Sequence, residues 1–282
     1  MQKVTDWLDL WRELAELQAA GWKGPHVAQE GEDAWRDRAR NYDAHVKRRW
    51  ATPDSSRDFV VAQLKAHPDW TALDIGGGTG AWASLMAQHA RQVTVVEPSP
   101  AMREVMRENL SATGVSNVTI VEGKWPDIQV GTHDLTLCAH AMYGLPDFAA
   151  FVHSLEAATR NLCVLVMRAP IREGLMAQAA MRVWGQPYDS PDFQVAYNAL
   201  LQMGIFPNVL MENSGLWEPW SNPGLEEAYA EIKRKLNVPD PSEHDAFLWN
   251  LVKGNLTYED GQYLWPRGVR SALVYWPIEN RR

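Results

Sequence analysis

Apolar residues near the start of the chain recur every three or four positions. Residues 6–20 place tryptophans and leucines at this spacing, which predicts an amphipathic helix with one apolar stripe. The segment 21–32, which contains glycine and proline, is expected to end that helix. The same spacing over residues 35–50 predicts a second helix, and Asp54 or Ser55 is the expected N-cap of a third.

The pattern changes at residue 70, where short runs of β-branched and aliphatic residues begin to alternate with helical stretches. Strands that alternate with crossover helices are typical of a parallel sheet covered on both faces. The predicted strands are Thr71–Ile75, Val93–Val96, Val118–Val121, Leu135–Ala139 and Leu162–Met167, and the helices between them are Ala81–Ala90, Pro100–Thr113 and Asp147–Arg160.

Beyond residue 170 the pattern predicts mostly helices and two more strands. Residues 172–208 form a helical insertion in this interpretation, and Val209–Glu212 and Ser271–Trp276 are apolar runs typical of strands. Further helices are expected at Gly224–Leu236 and Ser242–Leu256. The expected fold is therefore α/β, with a doubly wound, mostly parallel seven-stranded sheet, N-terminal helices and a helical insertion.

A glycine-rich loop follows the first predicted strand. Gly76, Gly78 and Gly80 belong to this loop, and Asp74 precedes it. Glycine permits the positive φ of a tight turn, and its missing side chain lets a ligand lie against the main chain. The second strand ends in Glu97, about 20 residues further on, where a carboxylate meets the ribose hydroxyls of a nucleotide. An ionised glutamate only accepts hydrogen bonds, so it can bind both hydroxyls.

The glycines alone leave the nucleotide open, because Gly76, Gly78 and Ala81 also satisfy the dinucleotide pattern G-x-G-x-x-G/A. The spacing Asp74-x-Gly76-x-Gly78-x-Gly80 resembles the first motif of class I S-adenosylmethionine-dependent methyltransferases. The resemblance is to the small-molecule type, which includes the ubiquinone/menaquinone and type 11 groups, and it covers about residues 70–170. It implies S-adenosylmethionine as the cofactor.

The resemblance also implies a division of the chain. Residues 1–69 are expected to form a helical cap, 70–170 the Rossmann-like cofactor-binding core, and 171–282 a substrate-side elaboration that returns the last strands to the sheet. An NAD(P)-dependent oxidoreductase with the same loop and a non-catalytic S-adenosylmethionine-binding protein remain alternatives. Tyr229 and Lys233 match the short-chain dehydrogenase pair in spacing, but they fall in a late charged helix.

By the resemblance, Asp74 orders the glycine turn and the methionine end of the cofactor, and Glu97 holds the ribose. Lys124 and Trp125 border the adenine. Lys124 stands where the family commonly has an aspartate and cannot accept the adenine amino proton. Backbone contacts and the face of Trp125 are therefore the expected adenine partners. Tyr42, on the second helix, would reach the methionine carboxylate, and core packing explains this tyrosine equally well.

Ala139 and His140 end the fourth strand, where the resemblance places the transferring methyl group. His140 is the candidate catalytic residue: it would contact cofactor or substrate, or act as a general base with an ordinary pKa near ~6.5. Methyl transfer is an in-line displacement that depends mainly on alignment and exclusion of water, so a base is not strictly required.

Net charge, cysteine positions and the residues after the fourth strand limit the classes of partner that we expect. The net charge of −8 disfavours a nucleic-acid partner, and the fourth strand is not followed by an Asn-Pro-Pro-Tyr-like motif. A small-molecule acceptor is expected. Cys138 and Cys163 stand singly in apolar runs, which predicts buried strand residues and no metal site. No apolar run is long enough to span a membrane, and we expect a cytoplasmic protein. The oligomeric state is left open.

Overall fold

The computed structural model describes residues 5–21, 33–213 and 215–278. The first helix ends at Gly21. The rest of the break expected over residues 21–32 lies outside the described residues. The helices are α1 (Trp7–Gly21), α2 (Ala39–Trp50), α3 (Ser55–Ala66), α4 (Ala81–Ala87), α5 (Pro100–Thr113), α6 (Phe148–Ala157), α7 (Leu175–Trp184), α8 (Phe193–Gln202), α9 (Leu225–Lys235) and α10 (Asp245–Asn255). The strands are β1 (Thr71–Ile75), β2 (Gln92–Glu97), β3 (Val118–Glu122), β4 (His133–Ala139), β5 (Thr159–Pro170), β6 (Asn208–Met211), β7 (Ser221–Asn222), β8 (Thr257–Glu259), β9 (Gln262–Leu264) and β10 (Val269–Pro277).

The main sheet has seven strands in the order β3-β2-β1-β4-β5-β10-β6. Neighbouring strands from β3 to β5 are parallel, and β10 runs antiparallel to both β5 and β6. The predicted doubly wound, mostly parallel seven-stranded sheet is confirmed. The carboxyl ends of β1, β2, β4 and β5 meet at one edge, where such sheets bind their ligands.

Helices cover both faces of this sheet, because its strands carry apolar side chains on both sides. On one face α1, α6 and α8 bury Trp11, Phe148 and Val195. On the other face α3, α4 and α5 bury a separate cluster that includes Leu64 and Met86. Cys138 and Cys163 are buried free cysteines within the strands, as expected.

A third apolar cluster lies away from the main sheet. It joins α7, α9 and α10 through Ala180, Ile232 and Leu248, with Trp265 buried at its side. A small antiparallel sheet of order β7-β9-β8 accompanies it, which the apolar pattern did not predict. Its strands have only two or three residues, too few for a period of two to be recognised.

Helix α2 is held beside the glycine loop by polar contacts with α5. Asn109 Nδ2 donates to Asp43 Oδ1 at 2.8 Å and to the carbonyl oxygen of Thr79 in the loop at 2.9 Å. Arg40 pairs with Glu108 across the same two helices. One asparagine therefore links α2, α5 and the loop, and the N-terminal helices are positioned over the edge of the sheet.

The sequence prediction of the start of α3 is confirmed, because Asp54 Oδ1 accepts hydrogen bonds from the backbone N–H of Ser56 at 2.7 Å and of Arg57 at 3.2 Å. This is the usual geometry of an N-cap. Within the described ranges, no helix combines the length and the apolar character needed to cross a membrane.

Candidate functional site

The glycine loop leaves the end of β1 with its main chain bare. Gly76 has φ +70°, and a Cβ there would lie 2.3 Å from Cβ of Ala141. Gly78 has φ +55°, and a Cβ there would meet only the ring of Tyr42, at 3.8 Å. Both positions need glycine, since other residues rarely adopt such φ values. The N–H of Gly76 donates to the carbonyl of Val96 at 2.8 Å, which ties the loop to β2.

A cavity of about 360 Å³ lies against this loop at the carboxyl ends of β1, β2 and β4. Two predicted site residues are not in its wall: Asp74 is buried beneath the loop, and Gly80 begins α4, where a Cβ would lie 2.6 Å from Cγ of Met106. The other predicted residues line the cavity: Tyr42, Gly76, Gly78, Glu97, Lys124, Trp125, Ala139 and His140.

Glu97 is fixed at the end of β2 with its carboxylate in the cavity wall. Its side chain is 5% exposed; Oε2 accepts from the N–H of Gly78 at 2.8 Å and Oε1 from the N–H of Ser99 at 2.9 Å. Burial raises the pKa of Glu97, and the two N–H donors oppose that shift. Arg103 donates to the Glu97 carbonyl oxygen at 2.8 Å and pairs with Glu122 at the end of β3. Each carboxylate oxygen retains a lone pair for a ligand.

Asp74 is 1% exposed, and its Oδ2 has no hydrogen-bond partner in the described part of the chain. Burial raises its pKa to about 7, and the charge of Glu97 adds to the shift. A Cβ on Gly77 would lie 3.1 Å from Asp74 Oδ2. The carboxyl therefore sits directly under the loop.

Aromatic and apolar side chains cover two sides of the cavity. Trp125, 7% exposed, lies near Met102 and Val96. Lys124 is exposed to solvent at the rim. From the N-terminal side, the rings of Trp35 and Tyr42 meet edge to face at 5.2 Å between centroids. A flat apolar ligand group fits between such walls.

His140 follows β4 with φ +57°. Its Nδ1 lies 2.9 Å from the hydroxyl of Tyr143, and that hydroxyl accepts from the backbone N–H of Arg168 at 2.7 Å. The Tyr143 hydroxyl therefore donates its own proton to Nδ1 of His140. With this assignment the imidazole carries its proton on Nε2. Burial, with the charges of Arg49 and Arg168, lowers the pKa of His140 to about 3. The ring is neutral at physiological pH.

A second cavity of about 690 Å³ adjoins the first. Trp217 lines it and meets the His140 ring edge-on at 5.4 Å between centroids. Arg168 lines it as well, with its guanidinium carbon 4.5 Å from the centroid of the Tyr143 ring. Contacts between lining residues therefore join the two cavities: His140 of the first meets Trp217 of the second, and Tyr143 contacts both His140 and Arg168. We call His140, Tyr143 and Trp217 the wall between the cavities.

Sequence reasoning missed part of this wall. Tyr143 and Arg49 carry no recognisable motif in the sequence. Arg49 lies 4.1 Å from the centroid of the Trp217 ring although the two residues are far apart in the chain. Tyr229 and Lys233 lie in neither cavity wall, and Lys233 Nζ bonds to Asp245 at 2.7 Å.

A family model described as a methyltransferase domain matches residues 72–161. The protein-L-isoaspartate O-methyltransferase of Methanoregula boonei is 38% identical over 72 residues, which are 24% of this chain and 33% of that protein. The release factor glutamine methyltransferase of Vibrio cholerae is 37% identical over 76 residues, 26% of this chain and 27% of that protein. The chain thus spans about a third or less of the length of the curated relatives it matches.

Solved structures show the same fold at low sequence identity. The YcgJ protein of Bacillus subtilis superposes with a TM-score of 0.52 at 14% identity, over 79% of this chain and 97% of that one. A protein of Bacillus halodurans C-125 described as a candidate methyltransferase superposes with a TM-score of 0.52 at 14% identity, over 79% of this chain and 98% of that one. Residues 72–161 thus match a methyltransferase domain, and the chain shares the fold of these solved structures, which agrees with the resemblance identified from the sequence.

Proposed function

We propose that this protein is an S-adenosylmethionine-dependent methyltransferase that acts on a small-molecule acceptor. The observation that carries the proposal is the cavity at the end of β1 and β2, where bare main chain at Gly76 and Gly78 faces the buried carboxylate of Glu97. The match of residues 72–161 to a methyltransferase domain supports the choice of this cofactor over a nicotinamide dinucleotide.

The described residues fit an adenosyl group. Glu97 has acceptor capacity left after its bonds to Gly78 and Ser99, which suits the two hydroxyls of a ribose. A side chain at Gly78 would enter the space beside Tyr42 that the ligand needs. Trp125 and Met102 offer apolar faces to the adenine. When bound, S-adenosylmethionine supplies an electrophilic methyl carbon on a positively charged sulfur.

The chain's own residues contribute alignment and exclusion of water. Glu97 fixes the sugar, Asp74 supports the loop from below, and Trp35 with Tyr42 covers the open side. By the resemblance, the methyl group would lie at the end of β4 beside Ala139, close to His140, which meets Trp217 of the second cavity. Holding donor and acceptor in line provides much of the acceleration in such a displacement.

For His140 we propose contact with the reactants rather than action as a general base. Its Nδ1 is occupied by Tyr143, and the lowered pKa makes the ring a weak base. The neutral ring donates a hydrogen bond from Nε2–H, and this bond orients the methyl acceptor. An acceptor that enters as an anion, or that carries a free lone pair, needs no base from the protein.

The acceptor is proposed to be small because the second cavity, about 690 Å³, has the size of small-ligand sites. We also propose a cytoplasmic location. Cys138 and Cys163 are both buried and unpaired, as is usual in a reducing compartment.

Calorimetric titration of the purified protein with S-adenosylhomocysteine tests the proposal. We expect micromolar or tighter binding, and no saturable binding of NADH followed by its fluorescence. Incubation with S-adenosylmethionine and candidate acceptors should then release S-adenosylhomocysteine. Absence of S-adenosylhomocysteine binding, or saturable NADH binding in its place, contradicts the proposal.

A further inference from the structure

The second cavity lies between the carboxyl edge of the main sheet and the cluster of α7 and α9. Residues from well-separated parts of the chain line it, from Gln18 on α1 to Val269 on β10. Its aromatic lining consists of Tyr188, Trp217, Trp220 and Trp265. Such walls suit a flat, apolar body.

Arg168 is a fixed positive charge in this lining. Its Nε and Nη2 donate to the carbonyl oxygen of Pro191 at 3.1 and 2.9 Å, and its guanidinium stacks on Tyr143. Its backbone N–H is held by the Tyr143 hydroxyl. Nη1 donates to no group in the described part of the chain. Nε–H and Nη2–H thus fix the side chain, and Nη1–H remains for a ligand.

The carboxylates of the lining are largely committed to the protein. Asp192 Oδ1 caps α8 through the N–H of Gln194 and Val195, and burial favours the neutral form of its carboxyl. Glu231 pairs with Lys235 at 2.8 Å. Glu173 is exposed and Asp189 is half-buried. The charges of Asp192 and Arg168 interact, and the guanidinium of Arg168 is the permanent charge of the two.

Three of the four aromatic rings of the lining already face cations of the protein. Arg49 lies over Trp217 at 4.1 Å, and Lys235 lies 5.6 Å from the Trp220 centroid and 5.4 Å from that of Trp265. A cationic substrate at these rings would be repelled by Arg49 and Lys235, whereas an uncharged flat body would not. The rings therefore do not form an open cage for an ammonium group.

We infer that the 690 Å³ cavity binds a methyl acceptor that has a flat, unsaturated body and an acidic group, a carboxylate in the simplest case, held by Arg168. The inference rests on the proposed function, since it assumes that the adjoining cavity holds the methyl donor. A carboxylate that accepts from Nη1 gains a charge-assisted hydrogen bond at a site where the guanidinium is already oriented. The aromatic lining covers the body of the same ligand.

Matched probes test this inference. Benzoate, 1-naphthoate and 2-naphthoate are titrated into the full chain saturated with S-adenosylhomocysteine, beside benzylammonium and the two naphthylmethylammonium ions. We expect at least one carboxylate to bind about tenfold or more tightly than its ammonium partner. Arg168→Gln should remove this preference, and Arg168→Lys should retain part of it. Arg267→Gln, in the same lining but paired with Glu218, should leave it unchanged.

The outcomes separate the two claims. Loss of S-adenosylhomocysteine binding in the unaltered protein overturns the proposed function. If S-adenosylhomocysteine binds but no carboxylate does, or the ammonium probes bind as tightly, the acidic acceptor is wrong. It is also wrong if Arg267→Gln abolishes the preference as fully as Arg168→Gln does. Should Arg168→Gln not fold, as thermal unfolding would reveal, the unaltered protein and Arg168→Lys still decide.

Discussion

The two cavities are built in different ways. The smaller cavity is formed mainly by consecutive turns between Ile75 and Phe151, and its key features are main-chain atoms and one carboxylate. The larger is assembled from side chains that range from Gln18 to Val269. A site made of backbone leaves a compact motif in the sequence, because glycine is the only residue that permits it. A site made of side chains from distant segments leaves none.

The largest effect is expected for Gly76→Ala, which should break the smaller cavity. The new Cβ would lie 2.3 Å from Cβ of Ala141, at φ +70°. Gly114→Ala is the matched control, because Gly114 has the same φ of +70° but a Cβ added there would have no atom within 4 Å. We expect Gly114→Ala to cost about 1 kcal/mol in the free energy of unfolding and to leave cofactor binding intact.

Gly76→Ala should lower the unfolding free energy by more than its control, since overpacking adds about 1–3 kcal/mol to the strain. It should also weaken S-adenosylhomocysteine binding about 100-fold or more. Chemical denaturation and calorimetry measure the two effects. Equal losses in both variants would mean that backbone strain alone matters and that close approach at residue 76 does not.

A smaller loss is expected for Glu97→Gln. The amide keeps the size of the side chain but loses the charge and one acceptor, which should weaken S-adenosylhomocysteine binding about 10- to 100-fold. Glu122→Gln is the control, because Glu122 pairs in register with Glu97 on the next strand but does not line the cavity. Calorimetric titrations of both variants compare them, and an equal effect at the two positions would remove the specific role of Glu97.

Tyr143→Phe should lower methyl transfer without changing cofactor binding. It removes the hydroxyl that joins His140, in the smaller cavity, to the backbone N–H of Arg168, in the larger one. We expect about tenfold lower methyl transfer once an acceptor is known, with unchanged S-adenosylhomocysteine affinity and about 1–3 kcal/mol lower stability from the unpaired N–H. An equal loss of S-adenosylhomocysteine affinity would show that Tyr143 supports the cofactor cavity as well.

The smallest effect concerns pH, and it involves one buried carboxyl beside each cavity. Burial raises the pKa of Asp74 and of Asp192 to about 7. Between about pH 4 and 7 the unfolded chain loses these protons while the folded chain keeps them, so stability falls as the pH rises through that window. Asp74→Asn and Asp192→Asn should each flatten this fall in urea titrations. Parallel pH profiles for variant and unaltered protein would contradict the shifts.

Most of the fold was predictable from the sequence. The strands between Thr71 and Met167 are long, apolar runs bounded by clear helix signals, and each was found within a few residues of its observed limits. The small second sheet was not found, although Asp260-Gly261 between Tyr258 and Tyr263 is a two-residue hairpin signal. Both turn residues have positive φ, as that turn requires.

The cofactor side of the site was more predictable than the acceptor side. Glu97 and Gly78 follow from a local motif. The orientation of Arg168 depends on Pro191 and Tyr143, which only the fold brings to it. Asp74 illustrates the limit of spacing alone: it directly precedes the loop in sequence, yet it lies beneath the loop and outside the cavity wall. Whether a side chain faces a cavity depends on packing that spacing does not encode.

A crystal structure of the protein with S-adenosylhomocysteine would show whether Glu97 and the glycine loop hold the cofactor. The ribose hydroxyls should lie within about 3.2 Å of the Glu97 carboxylate, with the adenosyl group against the main chain of Gly76 and Gly78. A ligand seated elsewhere, or a Glu97 that makes no contact with the sugar, would contradict the account.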